Sequence, residues 1–307
     1  MTGIFRFREG QPVTWYDRRL SRSNQFCLYC GQFIGEKSNV PSNKEHLIGK
    51  KFVPEGSFDN GRAFNFVFRA CRRCNTDKST FEDHISATTL ISSPGRGEDE
   101  HVDHLARRKF TSSFHPSQKG TKLADSRETI TLDLGCFSFG FEAPPQPNEI
   151  YRNRLALRHV QGFFALVTSS DPTTRQGINL LPPDYCWVLG YYPRSDWGNS
   201  QLTEVTQRCE KWPCYANVST ANGYFKAILK QEAPDKQWFW ALEWNKSVRI
   251  AGCIAPPGKL PALFQNLPEL DWKVLAGEAN NVRRYRQETP LSQDQDFLFS
   301  AEIHKTA

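Results

Sequence analysis

The chain has 307 residues, 38% of them hydrophobic and 23% charged, and a net charge of +6. These are globular values that suit one large or two ordinary domains, with enough apolar material for a core that does not depend on disulfides. No run approaches the roughly 20 apolar residues that cross a bilayer, and the start, Met-Thr-Gly-Ile-Phe-Arg-Phe-Arg-Glu, lacks the apolar centre of a signal peptide, so a cytoplasmic chain with no membrane partner is expected.

Charge is spread unevenly. The first 120 residues carry 19 Lys/Arg against 13 Asp/Glu, and the remainder carries 20 against 20. A basic part joined to a neutral one fits a polyanionic partner, nucleic acid above all, although a basic surface also serves solubility.

In chain order, residues 1–26 are polar and carry Arg6, Arg8, Arg18, Arg19 and Arg22, an arm suited to a phosphate backbone or to solvent. Residues 27–34, Cys-Leu-Tyr-Cys-Gly-Gln-Phe-Ile, read as a knuckle with a short strand. Glu45-His46 falls at the end of a short strand, 54–62 is a loop of turn formers, and 65–70 alternates as a strand running into Cys71. A helix follows from Cys74 to about Ser92, stopped by Pro94-Gly95. On it Asn75, Lys78, Glu82 and Ser86 share one face and His84 lies nearly opposite, where packing is the expected role. Residues 96–127 are polar and read as a linker around a charged segment; His101 and His104 there are expected in solvent.

Beyond the linker the pattern gives a strand at 129–134, a long helix at 149–169, a strand at 186–192 and a short helix near 201–211. Strands at 224–229 and 237–244 follow, and Asn245-Lys246 turns a hairpin into 248–254. Trp238, Trp240, Leu242 and Trp244 share one strand face, and an aromatic core is the expected use of the seven tryptophans between 187 and 272. Residues 259–275 read as a broken helix and the tail from about 286 as polar.

Nine cysteines cannot all pair within one chain. Four stand as two Cys-x-x-C pairs, Cys27/Cys30 and Cys71/Cys74, and without a secretion signal such pairs point to metal rather than disulfides. Each pair offers two thiolates from one tight turn, so together they make a tetrahedral Zn²⁺ site, with an insert of about 40 residues between them.

That insert holds Glu45-His46, and Asn75 follows the second pair in Cys-Arg-Arg-Cys-Asn-Thr-Asp-Lys at 71–78. The pattern resembles the HNH endonuclease family, over about 27–86. The resemblance implies a ββα-metal fold with His46 as general base and Glu45 and Asn75 as ligands of a catalytic Mg²⁺ or Mn²⁺. It makes Asn65 the residue that positions the base loop, with Asn60 as the alternative. Lys78, with Arg69, Arg72 and Arg73, is placed to hold the phosphate backbone. The chemistry agrees: imidazole can take a proton from water at neutral pH, and a carboxylate with an amide oxygen suits a hard cation. Two departures stand out: Glu replaces the commoner Asp, and Gly49-Lys50-Lys51 stands where a Pro usually follows the His.

The expected fold class is α+β: a small zinc-stapled ββα-metal HNH domain at 1–95, a linker at 96–127, a mixed α+β domain with an antiparallel sheet at 128–285, and a polar tail at 286–307. The expected activity is phosphodiester hydrolysis, in DNA rather than RNA by the resemblance, of the kind found in bacterial or phage defence and restriction nucleases. The competing expectation is a non-catalytic zinc module that binds nucleic acid or docks a partner.

Overall fold

A computed structural model describes residues 24–58, 64–126, 128–133, 138–143, 147–168, 180–232, 237–276 and 283–299. The arginine arm and Asn60 lie outside the described residues.

The polypeptide opens with a knuckle whose chain reverses at Gly31, held by Gly31 N–H on Cys27 O at 2.8 Å and Cys27 N–H on Gln32 O at 2.9 Å. Gly31 sits at φ +73°, where a Cβ would be strained. Strands β1 (Ser42–His46) and β2 (Val67–Cys71) form an antiparallel hairpin in which Glu45 faces Phe68 and His46 faces Val67. Helix α1 (Arg72–Ile91) leaves β2 without a loop, and Cys71 is its N-cap. Buried Asn24 clamps the knuckle to the hairpin: its Oδ1 accepts from Arg69 N and its amide nitrogen donates to Arg69 O, both at 2.8 Å.

The stretch expected as a linker is structured where it is described. It holds α2 (Gly95–Glu98) and α3 (Glu100–Ser112), the latter capped by Asp99 and packed on α1. His101 and His104 are exposed, as expected. Strands β3 (Glu128–Asp133) and β4 (Ser138–Ala143) pair as a hairpin, and α4 (Glu149–Thr168) follows and lies against α1.

The remaining elements are β5 (Cys186–Pro193), α5 (Ser200–Arg208), β6 (Cys214–Thr220), β7 (Phe225–Gln231), β8 (Trp238–Trp244), β9 (Val248–Ile254), and a small pair, β10 (Lys273–Ala276) with β11 (Arg283–Tyr285). Strands β5 to β9 make one antiparallel sheet in the order β5-β9-β8-β7-β6. The β8–β9 turn places Asn245 and Lys246 at φ 53° and 55°, as a tight hairpin turn requires.

Strand β8 is buried on both faces. Trp238, Trp240, Leu242 and Trp244 belong to one core, while Phe239 and Ala241 belong to a second that includes Leu202 and Val205 of α5. The first core is continuous with the knuckle, the hairpin, α1 and α4, so it runs from Cys27 to Ile254. The part expected as a separate N-terminal domain therefore shares its interior with the sheet. Asn245 reinforces the join, its amide donating to Phe52 O at 3.2 Å and to Thr89 Oγ1 at 2.8 Å. The broken helix expected at 259–275 is a single turn at Ala262–Phe264. The tail is anchored where it is described, with Asp296 paired to buried Arg249.

Candidate functional site

The knuckle contributes two sulfurs and the β2–α1 junction two more. Because α1 starts at the residue after Cys71, Cys71 and Cys74 fall on one helical turn, and Cys71 Sγ accepts the Cys74 N–H at 3.5 Å. The four ligand atoms of Cys27, Cys30, Cys71 and Cys74 lie within 4.8 Å of one another and could hold a metal ion. Among the described residues this is the one group of three or more His, Cys, Asp or Glu so arranged. Cys30 is exposed and the other three are buried. The Cys27 thiol is lowered to about 5, first by its hydrogen bond with Cys74, which favours a thiolate there.

A buried ionic cluster lies beside this staple. Lys78, 1% exposed, is paired with Glu45 Oε1 at 2.8 Å and Glu82 Oε1 at 2.7 Å, and also donates to His46 O at 3.0 Å. Burial opposes its charge, but the two carboxylates outweigh burial and hold its pKa above the ordinary lysine value. Burial likewise acts on Glu82, where Lys78 and His159 bring the carboxyl below its usual range. For Glu45 burial prevails and the pKa is raised. The expectation that Lys78 grips a phosphate is thus corrected: its ammonium is consumed inside the protein, because helical spacing stacks Glu82 one turn away and the hairpin lays Glu45 over it.

Glu45 is buried, yet its two partners, Lys78 and the Tyr29 hydroxyl at 3.1 Å, both engage Oε1. Oε2 has no hydrogen bond among the described residues. Asn75, on the first turn of α1, donates its amide to Asn43 Oδ1 at 2.7 Å and Lys44 O at 3.1 Å, which leaves its Oδ1 as the open acceptor.

His46 ends β1, half-buried. Burial first, then Lys44, Lys50 and Lys78, push its pKa down to about 4, so the ring is neutral at pH 7; its Nδ1 has no hydrogen-bond partner among the described residues. Two contacts fix the turn after it. Asn65 reads both backbone groups of Ile48, accepting its N–H at 3.1 Å and donating to its carbonyl at 2.6 Å. Glu82 Oε1 accepts Gly49 N–H at 2.8 Å, and a Cβ on Gly49 would come within 2.3 Å of the Glu82 carboxylate. Proline at 49 would lose that N–H and bring added bulk against Glu82.

Of the residues singled out in the sequence, the structure thus gathers Glu45, His46, Asn65, Lys78 and the cysteines around the hairpin and the first turns of α1. Arg72 and Arg73 are exposed at the helix start, while Arg69 is tied to Ser42 Oγ at 2.6 Å. His84 stands apart, with its Nε2 accepting Asn148 N–H at 2.9 Å. Sequence reasoning missed Tyr29 and His159. His159 is fully buried with Nε2 3.8 Å from Glu82 Oε1, beyond hydrogen-bond length, and burial drives its pKa to about 4. It is one letter of a long helix, between Arg158 and Val160, and only α4 packing on α1 brings it to Glu82.

Comparison with known proteins yields no match: no family model, no curated protein and no solved structure is significantly similar to this chain.

Proposed function

We propose that this chain is a metal-dependent endonuclease of the HNH kind that hydrolyses phosphodiester bonds in DNA, with His46 as general base. The observation that carries the reading is the state of His46. A half-buried imidazole that is unprotonated at neutral pH, on a turn clamped from both sides by Asn65 and Glu82, holds a ring lone pair in a fixed place, and an anionic phosphate beside it would raise the basicity that burial and the lysines lower. Lys44 and Lys50, both exposed, supply positive potential where a phosphate would approach. In the backbone-holding role Lys44 and Lys50 join Arg72 and Arg73, in place of Lys78.

Zinc fits the four cysteines. A tetrahedral site with Zn–S bonds of about 2.3 Å has sulfurs about 3.8 Å apart, and Cys30 Sγ and Cys71 Sγ lie 3.7 Å apart. Its role would be to staple knuckle, hairpin and helix. For the hydrolytic cation, Glu45 Oε2 and Asn75 Oδ1 are the oxygens left over by their neighbours, a donor set that fits Mg²⁺ or Mn²⁺. Bound there, the ion would neutralise charge building on the phosphate. The protein's own residues hold the base neutral, keep its turn rigid and orient the Asn75 amide.

A zinc-stapled module that binds nucleic acid without cutting it is the second reading, favoured by the ion pair that already occupies Glu45 Oε1. Incubating plasmid, linear DNA and RNA with the full chain over a series of divalent cations separates the two. Cleavage of DNA with Mg²⁺ or Mn²⁺ that is lost in His46→Ala is the expected result. Equal cleavage by His46→Ala refutes the base assignment, and salt-sensitive binding with no cleavage under any cation leaves the binding module.

A further inference from the structure

A cleft of about 940 Å³ opens between the 50–58 loop, α1, α3 and the turn at 113–116, with Tyr151 of α4 closing one side. His84 lines it and is 3% exposed; its Nε2 accepts Asn148 N–H at 2.9 Å, so in the neutral ring the proton is on Nδ1, and Nδ1 has no partner among the described residues. Burial keeps this ring neutral, with a pKa near 4. His115 also lines the cleft, and its Nδ1 accepts Gln118 N–H at 3.0 Å and Ser117 N–H at 3.3 Å, which puts its proton on Nε2. Two histidines are thus locked by backbone amides into tautomers whose remaining nitrogens are donors.

The charges agree with the donors. Lys109 is fixed by Ser86 Oγ at 2.6 Å and by the Lys51 carbonyl, and burial lowers its pKa to about 8, a sign that its charge lacks full compensation. Four Lys/Arg side chains line the cleft against the two carboxylates Glu55 and Asp83, an excess close to the charge of one phosphate monoester. Arg108 and Glu55, 3.5 Å apart, join the α3 wall to the loop wall, and a carboxylate at that place opposes a long polyanion. Tyr151, Phe58 and Phe114 supply aromatic surface, and the volume is that of a small-molecule site.

We propose that this cleft binds a small phosphorylated ring compound of the nucleoside monophosphate class, its phosphate taken by the His115 Nε2–H with Lys109 and Arg108, and its ring by Tyr151 and the phenylalanines. The proposal does not depend on the hydrolytic reading of His46.

Titration calorimetry of the full chain tests it with the four common ribonucleoside 5′-monophosphates, their nucleosides, inorganic phosphate and a ten-nucleotide single-stranded DNA, in buffer free of Mg²⁺ and Mn²⁺. At least one monophosphate should bind about tenfold or more tighter than its nucleoside and than inorganic phosphate. That affinity should fall about tenfold in Arg108→Gln, an exposed position that leaves the core intact, and further in Lys109→Met. In ¹⁵N-histidine spectra the protonated Nε2 of His115 should shift on binding, a readout independent of either variant's folding. The proposal is overturned if no monophosphate binds, if inorganic phosphate binds as tightly, if only the oligonucleotide binds, or if binding leaves the His115 signal and the Arg108→Gln affinity unchanged.

Discussion

Replacing Lys78 by methionine keeps most of the side-chain volume and removes one charge from a closed cluster. In the native protein that ammonium sits 2.8 Å from Glu45 and 2.7 Å from Glu82 and donates to the His46 carbonyl at 3.0 Å. Without it, Glu45 keeps only the Tyr29 hydroxyl and Glu82 only the Gly49 amide, and the two carboxylates lose the cation between them. Removing one partner of a buried pair costs about 3–5 kcal/mol, a large part of the roughly 5–15 kcal/mol that holds a domain folded. Protonation can recover some of it. Burial already raises the Glu45 pKa, and loss of Lys78 raises it further. A carboxyl whose folded pKa exceeds its unfolded one favours the native state at low pH and loses that benefit as pH rises through the folded value. Lys78→Met should therefore be most destabilised near pH 8 and partly restored toward pH 5. Urea unfolding at both pH values, alone and in a cycle with Glu45→Gln, measures this. A loss below about 1 kcal/mol at pH 8 with no coupling to Glu45 would place Lys78 in the surface-pair regime and refute the buried cluster.

Elemental analysis of the purified chain should find about one zinc per molecule, and Cys74→Ser should release it and lower the unfolding midpoint. Asn65→Ala leaves both backbone groups of Ile48 without their partner, so a loss of about 1–3 kcal/mol in urea unfolding is expected; if the chain hydrolyses DNA, kcat should fall more than KM rises, because the His46 turn loosens. Acid should weaken the fold before its carboxylates titrate. His159 has its pKa lowered to about 4, so between pH 6.5 and 4 the unfolded state binds the extra proton and stability falls as pH drops. That group alone predicts about 2 kcal/mol lost between pH 7 and pH 5, and His159→Phe should flatten the dependence of the urea midpoint on pH over that range.

Local pattern placed the elements whose signals are local. The Cys71–Cys74 spacing, the strand into Cys71, the helices at 72–91 and 149–168, and the Asn245-Lys246 turn were all readable from period, breaker and turn chemistry. Strand β6 was not, since Cys214–Thr220 alternates weakly and is specified by pairing with β7. Helix α3 was passed over because its composition is charged; three apolar residues, Val102, Leu105 and Ala106, are enough to seat it on α1. At the site, residue types and spacing pointed to Glu45, His46 and Asn75, but which way a charge faces is a tertiary fact. Lys78 stood on the same helical face as Asn75 and looked available until Glu45 from the hairpin and Glu82 from its own helix enclosed it.

That enclosure bears on how the two halves cooperate. The hairpin is fastened to α1 at the first turn by the cysteine cluster and in the next by Lys78 with Glu45 and Glu82, while farther along Thr89 is bonded to Asn245 in the β8–β9 turn. Glu82 also carries the Gly49 amide and lies near His159 of α4, so one carboxylate touches the turn after His46, the helix and the element that packs against the sheet. A hairpin–helix unit cut out at residue 95 would expose Leu47, Phe52 and Phe81, which now lie in the core shared with Phe163 and Trp244, and would leave Glu82 beside water in place of α4. The geometry around His46 is therefore a property of the whole core rather than of a detachable module.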